Sequence, residues 1–197
     1  MRIRFLIQVV SLATLILFSF TNCSVQNQVE SELKKLDSLN IVLSTKLSEL
    51  NKCDTILLRR AILKFTDYVT FIEYNLSDTI TKTEANGLQQ FYVSGNNLKA
   101  FAVNRFSLNT RASLVNSQIK NLVLDLKKGG MSKDEFLKNY DAEIKASMQL
   151  ISLTEQEIKN YNNSIQDFKN SILPVETLIK SKNNCQLPAA INDSVNI

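Results

Sequence analysis

Histidine and tryptophan are absent from this sequence, and its 197 residues include only four glycines, two prolines and three cysteines. Histidine is the usual general base near neutral pH and the commonest nitrogen ligand of metal ions. Its absence excludes the Glu-x-x-His di-iron sites of ferritin-like bundles. Because glycine and proline form tight turns, a chain poor in both favours long helices over a many-stranded β fold.

The remaining composition is that of one ordinary globular domain with a leader. Hydrophobic residues make up 44% of the chain, and apart from Arg2 and Arg4 there are 21 basic residues against 19 acidic ones. No basic block is present, so we expect no nucleic-acid partner. The sequence has no nucleophile elbow, phosphate loop or Cys-x-x-Cys pair, and its carboxylates are spread over helix faces. We therefore predict no enzyme activity, no catalytic residue, no metal and no cofactor.

A positively charged start and a short apolar run open the chain. Arg2 and Arg4 precede residues 5–20, which are apolar apart from four polar side chains. A membrane span needs about 20 apolar residues, so this shorter, interrupted run is typical of a secretory signal peptide.

A cysteine follows this run directly, in the sequence FTNC that ends at Cys23. This stretch resembles the lipobox of bacterial lipoproteins, although Phe20 and Asn22 replace the usual leucine and small residue. The resemblance covers the leader alone. It implies that residues 1–22 are removed, that Cys23 carries diacylglycerol and a further acyl chain such as palmitate, and that residues 23–28 form a lipidated tether.

Two or three acyl chains hold a protein firmly on a membrane, whereas one holds it marginally. The resemblance therefore implies a cell-envelope protein that contacts membrane lipid through acylated Cys23. Ser24, in place of aspartate, is typical of lipoproteins sent to the outer membrane. The alternatives are plain secretion, with Cys23 as an ordinary residue, and an uncleaved anchor.

Beyond the tether, four runs of residues alternate steps of three and four, which is the spacing of a coiled-coil core. The first run is Val29, Leu33, Leu36, Asn40, Leu43, Leu47 and Leu50. The second is Leu58, Ile62, Phe65, Val69, Ile72, Leu76 and Ile80. The third is Leu98, Phe101, Arg105, Leu108, Ala112, Val115, Ile119, Leu122 and Leu126. The fourth is Leu137, Tyr140, Ile144, Ser147, Ile151, Thr154, Ile158, Tyr161, Ile165, Phe168, Ile172, Val175 and Ile179.

The local signals at the ends of these runs leave some alternatives open. Between the first two runs, the chain either continues through a stutter or breaks, with Asp54 or Thr55 capping a new helix. In the first run, either Asn40 or Leu39 faces the core. TKTE at 81–84 and SKDE at 132–135 have the spacing of capping boxes, and we expect Pro174 to kink or end the last helix.

The similar lengths of three segments favour a continuous first helix over one that breaks near residue 54. Residues 29–79, 82–128 and 132–179 would each form a helix of about 70–75 Å. We therefore predict an all-α fold, an elongated antiparallel bundle of three long helices with coiled-coil packing over residues 29–181. A four-helix variant is second, and residues 182–197 form a loose tail.

Two further features invite a chemical interpretation. Arg105 occupies a core position, where it needs an acidic partner, a ligand anion or a route to solvent along its apolar stem. Cys53 and Cys185, in an oxidising compartment, predict a disulfide if the last helix ends at Pro174 and the chain folds back. A free or intermolecular thiol is the alternative.

Two classes of function remain after these exclusions. The first is a lipid-anchored, non-enzymatic helical module that binds another envelope or surface protein. The second is a ligand-sensing helical bundle of the envelope. A sensor needs polar core residues that converge on a pocket, and Asn40, Arg105, Ser147 and Thr154 are the candidates.

Overall fold

The computed structural model describes residues 29–76 and 80–182, and within these ranges the chain is entirely helical, with four helices and no strand. Helix α1 covers 29–52, α2 covers Thr55–Asn75, α3 covers Lys82–Lys127 and α4 covers Lys133–Lys182. The predicted all-α class is confirmed for these residues. The leader, Cys23, the tether and residues 183–197 lie outside them.

The chain breaks between α1 and α2, so the expected continuous helix over 29–79 is wrong. Asp54 has extended backbone angles, and its carboxylate accepts hydrogen bonds from the N–H groups of Ile56 and Leu57, each at 2.9 Å. These are N–H groups of a first helical turn, which have no partner within the helix. Asp54 therefore caps a new helix, as the alternative to the stutter predicted.

Both predicted capping boxes are present. At the start of α3, the Thr81 N–H donates to Glu84 Oε2 at 2.6 Å, and the Glu84 N–H donates back to Thr81 Oγ1 at 3.3 Å. Ser132 and Glu135 make the same exchange before α4, at 3.0 and 3.3 Å. Each pair satisfies two N–H groups that the first helical turn leaves free.

The end of α3 also follows its sequence signal. Gly129 has a φ of 70°, a left-handed conformation that side chains disfavour, and the Gly130 N–H donates to the Asp125 carbonyl at 3.0 Å. A left-handed glycine after the last helical turn is the usual way to satisfy such carbonyls.

The core follows the predicted heptad positions, with one shift. In α3 and α4, every predicted position is buried or half-buried. In α1, the fully buried positions are Leu36, Leu43 and Leu50, whereas Asn40 and Leu39 are both half-buried. In α2, Ala61 and Tyr68 are buried where the pattern pointed to their neighbours.

The described residues form two compact units. Unit 1 contains residues 29–43 and 113–148, and unit 2 contains residues 44–76, 80–112 and 149–182. The apolar core of unit 1 is aliphatic apart from Phe136 and Tyr140, whose rings lie 5.9 Å apart, and the polar Ser147 is buried with it.

Unit 2 is built around aromatic side chains from all three of its longer helical segments. The ring centroid of Phe91 in α3 lies 5.3 Å from those of Phe65 in α2 and Phe168 in α4. Gly95 makes this packing possible, because a Cβ at that position would overlap atoms of the Phe65 ring. A glycine that weakens a helix in isolation thus lets α2 approach α3 closely.

Helix α4 continues through Pro174 to Lys182, so it does not end at Pro174, and the alternative expectation of a kink there stays a prediction. A proline within a helix costs roughly 3 kcal/mol. Beyond it, Val175, Leu178 and Ile179 are buried. Burying each of these side chains contributes about 1.5–3 kcal/mol, which offsets that cost.

Candidate functional site

A group of hydrogen-bonded side chains surrounds the break between α1 and α2, and we call it the polar junction. It consists of Asn51, Asp54, Arg105, Asn109 and Tyr161, all in unit 2. It brings together the end of α1, the cap of α2 and the facing surfaces of α3 and α4. Of the sequence candidates, it contains Arg105.

Arg105 binds the end of α1. Its Nη2 donates to the Asn51 carbonyl at 3.2 Å and to Asn51 Oδ1 at 3.3 Å. The last carbonyls of a helix have no intrahelical donor and carry partial negative charge, so a guanidinium there is favourable. The half-buried Arg105 thus has a carbonyl partner, and among the described residues no carboxylate pairs with it.

Asn51 and Asn109 form a reciprocal amide pair between α1 and α3. Asn51 Nδ2 donates to Asn109 Oδ1 at 3.1 Å, and Asn109 Nδ2 donates to Asn51 Oδ1 at 3.2 Å. Asn109 Nδ2 also donates to the Arg105 carbonyl at 2.9 Å. The pair fixes α1 against α3 at the level where α1 ends.

Tyr161 joins α4 to the same level. Its hydroxyl donates to the Asp54 carbonyl at 3.1 Å, and its ring lies 4.7 Å from the Phe101 ring. Burial raises the pKa of Tyr161, and nearby Cys53 and Asp54 add to the rise. The phenol therefore stays protonated and remains a donor.

Cys53 lies beside the junction as a half-buried thiol that forms no disulfide with another described residue. Burial raises its pKa, and Arg105 opposes part of that rise. A thiol with a raised pKa is a poor nucleophile at neutral pH, because the thiolate is the reactive form.

The predicted pairing of Cys53 with Cys185 stays a prediction, because Cys185 lies outside the described residues. The condition attached to it, a helix that ends at Pro174, is not met. Tyr161, which contacts the neighbour of Cys53, lies 21 residues before Lys182, about 31 Å along α4. The three residues from there to Cys185 reach about 10 Å, so a bridge within one chain requires the last turns of α4 to unwind.

A second polar group in unit 2 joins α2 to α4. The buried Tyr68 hydroxyl donates to Glu176 Oε1 at 2.6 Å, and Lys64 Nζ lies 3.3 Å from the same oxygen. Lys64 also lies over the Tyr68 ring, 5.7 Å from its centroid. Burial raises the pKa of Tyr68, and the hydrogen bond to Glu176 raises it further. The group therefore orients α2 against α4 through a protonated Tyr68 hydroxyl.

The remaining sensor candidates do not converge with Arg105. Thr154, in unit 2, donates to the Leu150 carbonyl of its own helix at 2.7 Å. Asn40 and Ser147 belong to unit 1, and each has a buried oxygen without a hydrogen-bond partner. Within the ranges that the structure describes, no group of three or more acidic, cysteine or histidine side chains could hold a metal ion.

Sequence reasoning missed an exposed apolar surface on α3. Val103 and Phe106, which we call the α3 outer patch, are 69% and 77% exposed. Val103 lies two residues after the buried Phe101 and five before the buried Leu108, and Phe106 lies five residues after Phe101 and two before Leu108. Residues two or five apart lie on roughly opposite sides of a helix, so both side chains point away from the core. The sequence signal that could have revealed this surface was the presence of apolar residues between the heptad positions.

Comparison with protein families, with characterised proteins and with solved structures finds no match to this chain. None of the helices in the described ranges has the length and apolar character that a membrane crossing requires.

Proposed function

We propose that this protein is a non-enzymatic lipoprotein of the cell envelope, anchored to the outer membrane through acylated Cys23. Its helical domain acts as an interaction or structural module for another envelope or surface protein. The proposed anchor rests on the charged leader, the short apolar run and the cysteine at the edge of that run. The proposed protein partner rests on the α3 outer patch.

The α3 outer patch is the observation that carries the interaction. Phe106 is 77% exposed, and within unit 2 it lies on the helix side opposite the buried Phe101. Exposed aromatic side chains are enriched at protein–protein interfaces, where their burial contributes much of the affinity. A protein partner with an apolar surface would cover this patch.

Within each unit, we propose coiled-coil packing of three helical segments. Unit 1 would pack α1, α3 and α4, and unit 2 would pack α2, α3 and α4 with the end of α1. The alternating buried positions and the contacts of Phe91 with Phe65 and Phe168 support this arrangement. In this arrangement α2 begins where α1 ends. The break at Asp54 therefore adds a fourth helix to the chain, while three helical segments pack together at each level of a unit.

The anchor is tested by labelling cells with an acyl-chain probe. Wild-type protein and a Cys23→Ser variant are compared, with Cys53→Ser as the matched control. We expect label on the wild type and on Cys53→Ser, and none on Cys23→Ser. Equal labelling of all three proteins, or none at all, contradicts lipidation at Cys23.

The interaction is tested by photo-crosslinking in intact envelopes. A crosslinking residue at Phe106 should give a discrete product, whereas one at the exposed Asn162 of α4 should not. The double change Val103→Ser and Phe106→Ser should abolish partner recovery while changing the free energy of unfolding by only about 0.5 kcal/mol, the usual size for an exposed substitution. Undiminished recovery with that variant contradicts the assignment of this surface.

A ligand-sensing bundle is the second candidate. The observation that favours it is the set of buried oxygens without partners in unit 1, which includes those of Asn40 and Ser147. A screen of small polar metabolites for a rise in melting temperature tests it, because a ligand that binds the folded state stabilises it. Loss of that rise in Ser147→Ala would support a site in unit 1.

A further inference from the structure

Unit 1 contains four buried polar atoms that lack a hydrogen-bond partner. They are Asn40 Oδ1, Asn116 Oδ1, Glu143 Oε2 and Ser147 Oγ. Among the residues that the structure describes, no other side-chain oxygen or nitrogen is both buried and unpartnered, so all such atoms fall in unit 1. Buried polar atoms almost always have a partner, either in the protein or in ordered water.

The register of α3 and α4 places three of these residues at one level. The two helices are antiparallel neighbours joined by the short turn around Gly130. Asn116 and Ile144 are each fourteen residues from Gly130, so Asn116 lies at the level of the turn of α4 that contains Glu143 and Ser147.

Asn40 in α1 reaches the same level. Burial raises the pKa of Tyr140 in α4, and the Glu32 carboxylate in α1 lies close enough to the Tyr140 hydroxyl to raise that pKa further. The two helices run parallel, since Lys46 pairs with Glu155 and Tyr161 bonds to Asp54. Asn40 lies eight residues beyond Glu32, and Met148, the neighbour of Ser147, lies eight residues beyond Tyr140. The four atoms therefore come from three helices within about one and a half turns.

The hydrogen-bonding capacity of these atoms is unbalanced. The two amide oxygens and an ionised carboxylate oxygen only accept hydrogen bonds, whereas the serine hydroxyl supplies one donor. Three acceptors and one donor thus lack partners, and one water molecule can satisfy three of these four atoms. One water molecule supplies two donors, and it also accepts the bond from a hydroxyl.

We propose that an ordered water molecule binds inside unit 1 among Asn40, Asn116, Glu143 and Ser147. It accepts from the Ser147 hydroxyl and donates to two of the three acceptor oxygens. Buried waters typically make about three such bonds to groups that otherwise have no partner. The site is distinct from the polar junction, whose amide pair is satisfied within the protein.

The experiment is NMR cross-relaxation between water and backbone amides, on the full mature protein in detergent micelles. We expect the amide protons of Asn116 and Ser147 to show the cross-peak sign of a long-lived bound water. The amide of Asn109, in the satisfied pair, is the internal control and should show none. In Asn40→Leu, which removes one acceptor and fills its space, the water cross-peaks should weaken or vanish while the spectrum stays folded.

Three results would overturn the assignment. The first is the absence of water cross-peaks at Asn116 and Ser147 in the wild type. The second is their persistence at full intensity in a folded Asn40→Leu variant. The third is a rise in melting temperature with one particular inorganic cation at constant ionic strength, abolished by Glu143→Gln, because the guest would then be that ion. Each of these readouts is independent of lipidation and of any protein partner.

Discussion

Replacing Gly95 by alanine should destabilise unit 2, although alanine is the better helix former. The new methyl group would overlap atoms of the Phe65 ring, which also packs against Phe91 and Phe168. The ring cannot simply withdraw, because Lys99 lies over it, with Nζ 4.8 Å from its centroid, and Phe65 is only 2% exposed. The backbones of α2 and α3 must therefore separate, or the aromatic cluster must repack.

The size of the effect follows from two opposing contributions. Overpacking a core costs about 1–3 kcal/mol, and overlap with a whole ring places this case near the upper end. Glycine to alanine in a helix interior returns about 1 kcal/mol. We expect a net loss of about 1–2 kcal/mol in the free energy of unfolding, with a fall in melting temperature of about 2–8 °C for a chain of this length.

Urea unfolding followed by circular dichroism measures this change. The exposed neighbour Asn96 provides the control, since Asn96→Ala meets no core atom and should leave stability unchanged or slightly raised. A second variant, Phe65→Leu with Gly95→Ala, makes room for the methyl group. The two changes together should cost less than the sum of their separate costs. If Gly95→Ala is as stable as Asn96→Ala, α2 does not approach α3 closely at this point and the aromatic packing described for unit 2 is wrong.

Three further changes test other contacts. Asp54→Ala removes the cap of α2 and should cost about 1 kcal/mol in urea unfolding, whereas an unbroken helix at this point would gain stability. Tyr68→Phe removes the donor to Glu176 and should cost about 1–2 kcal/mol in thermal unfolding, and the exposed Tyr74→Phe should cost nothing measurable. Hydrogen bonds from Thr81 and Ser132 lower the pKa values of Glu84 and Glu135 below their usual 4.5, so their stabilisation is present above pH 4.5 and lost as pH falls below it. The double change to glutamine should therefore make the acid-induced fall in melting temperature shallower.

Periodicity predicted much of the core because burial in a helical domain depends mainly on position within the helix. The third run shows this most directly. Of its nine positions, only Arg105 and Leu126 are half-buried, and the others are buried. Both capping boxes were equally accessible, since their partners are three residues apart. Contacts between neighbours in sequence are the ones that a single sequence reveals.

The sequence alone could not decide whether the helix breaks at Asp54, because the contacts that stabilise the break come from residues far away along the chain. A capping aspartate fits a break, yet the heptads on either side also fit a stutter. Arg105 binds the end of α1 from a position 54 residues away, and Tyr161 bonds to Asp54 from 107 residues away. From the sequence, Arg105 needed an acidic partner, a ligand anion or a route to solvent. Its actual partner could not be predicted, because the free carbonyl at the end of α1 exists only once the helix breaks.

Helix α3 links the packing of unit 2 to the proposed interaction. Its inner side supplies Phe91, Phe101 and Leu108 to the core, and its outer side places Val103 and Phe106 in water. A surface helix normally pairs an apolar side with a polar one, and a helix that is apolar on both sides is normally covered on both. Removing the outer side chains therefore leaves the core contacts of unit 2 intact. If the patch is a binding surface, substitutions there reduce the affinity for the partner and leave the free energy of unfolding unchanged, whereas substitutions on the inner side reduce both.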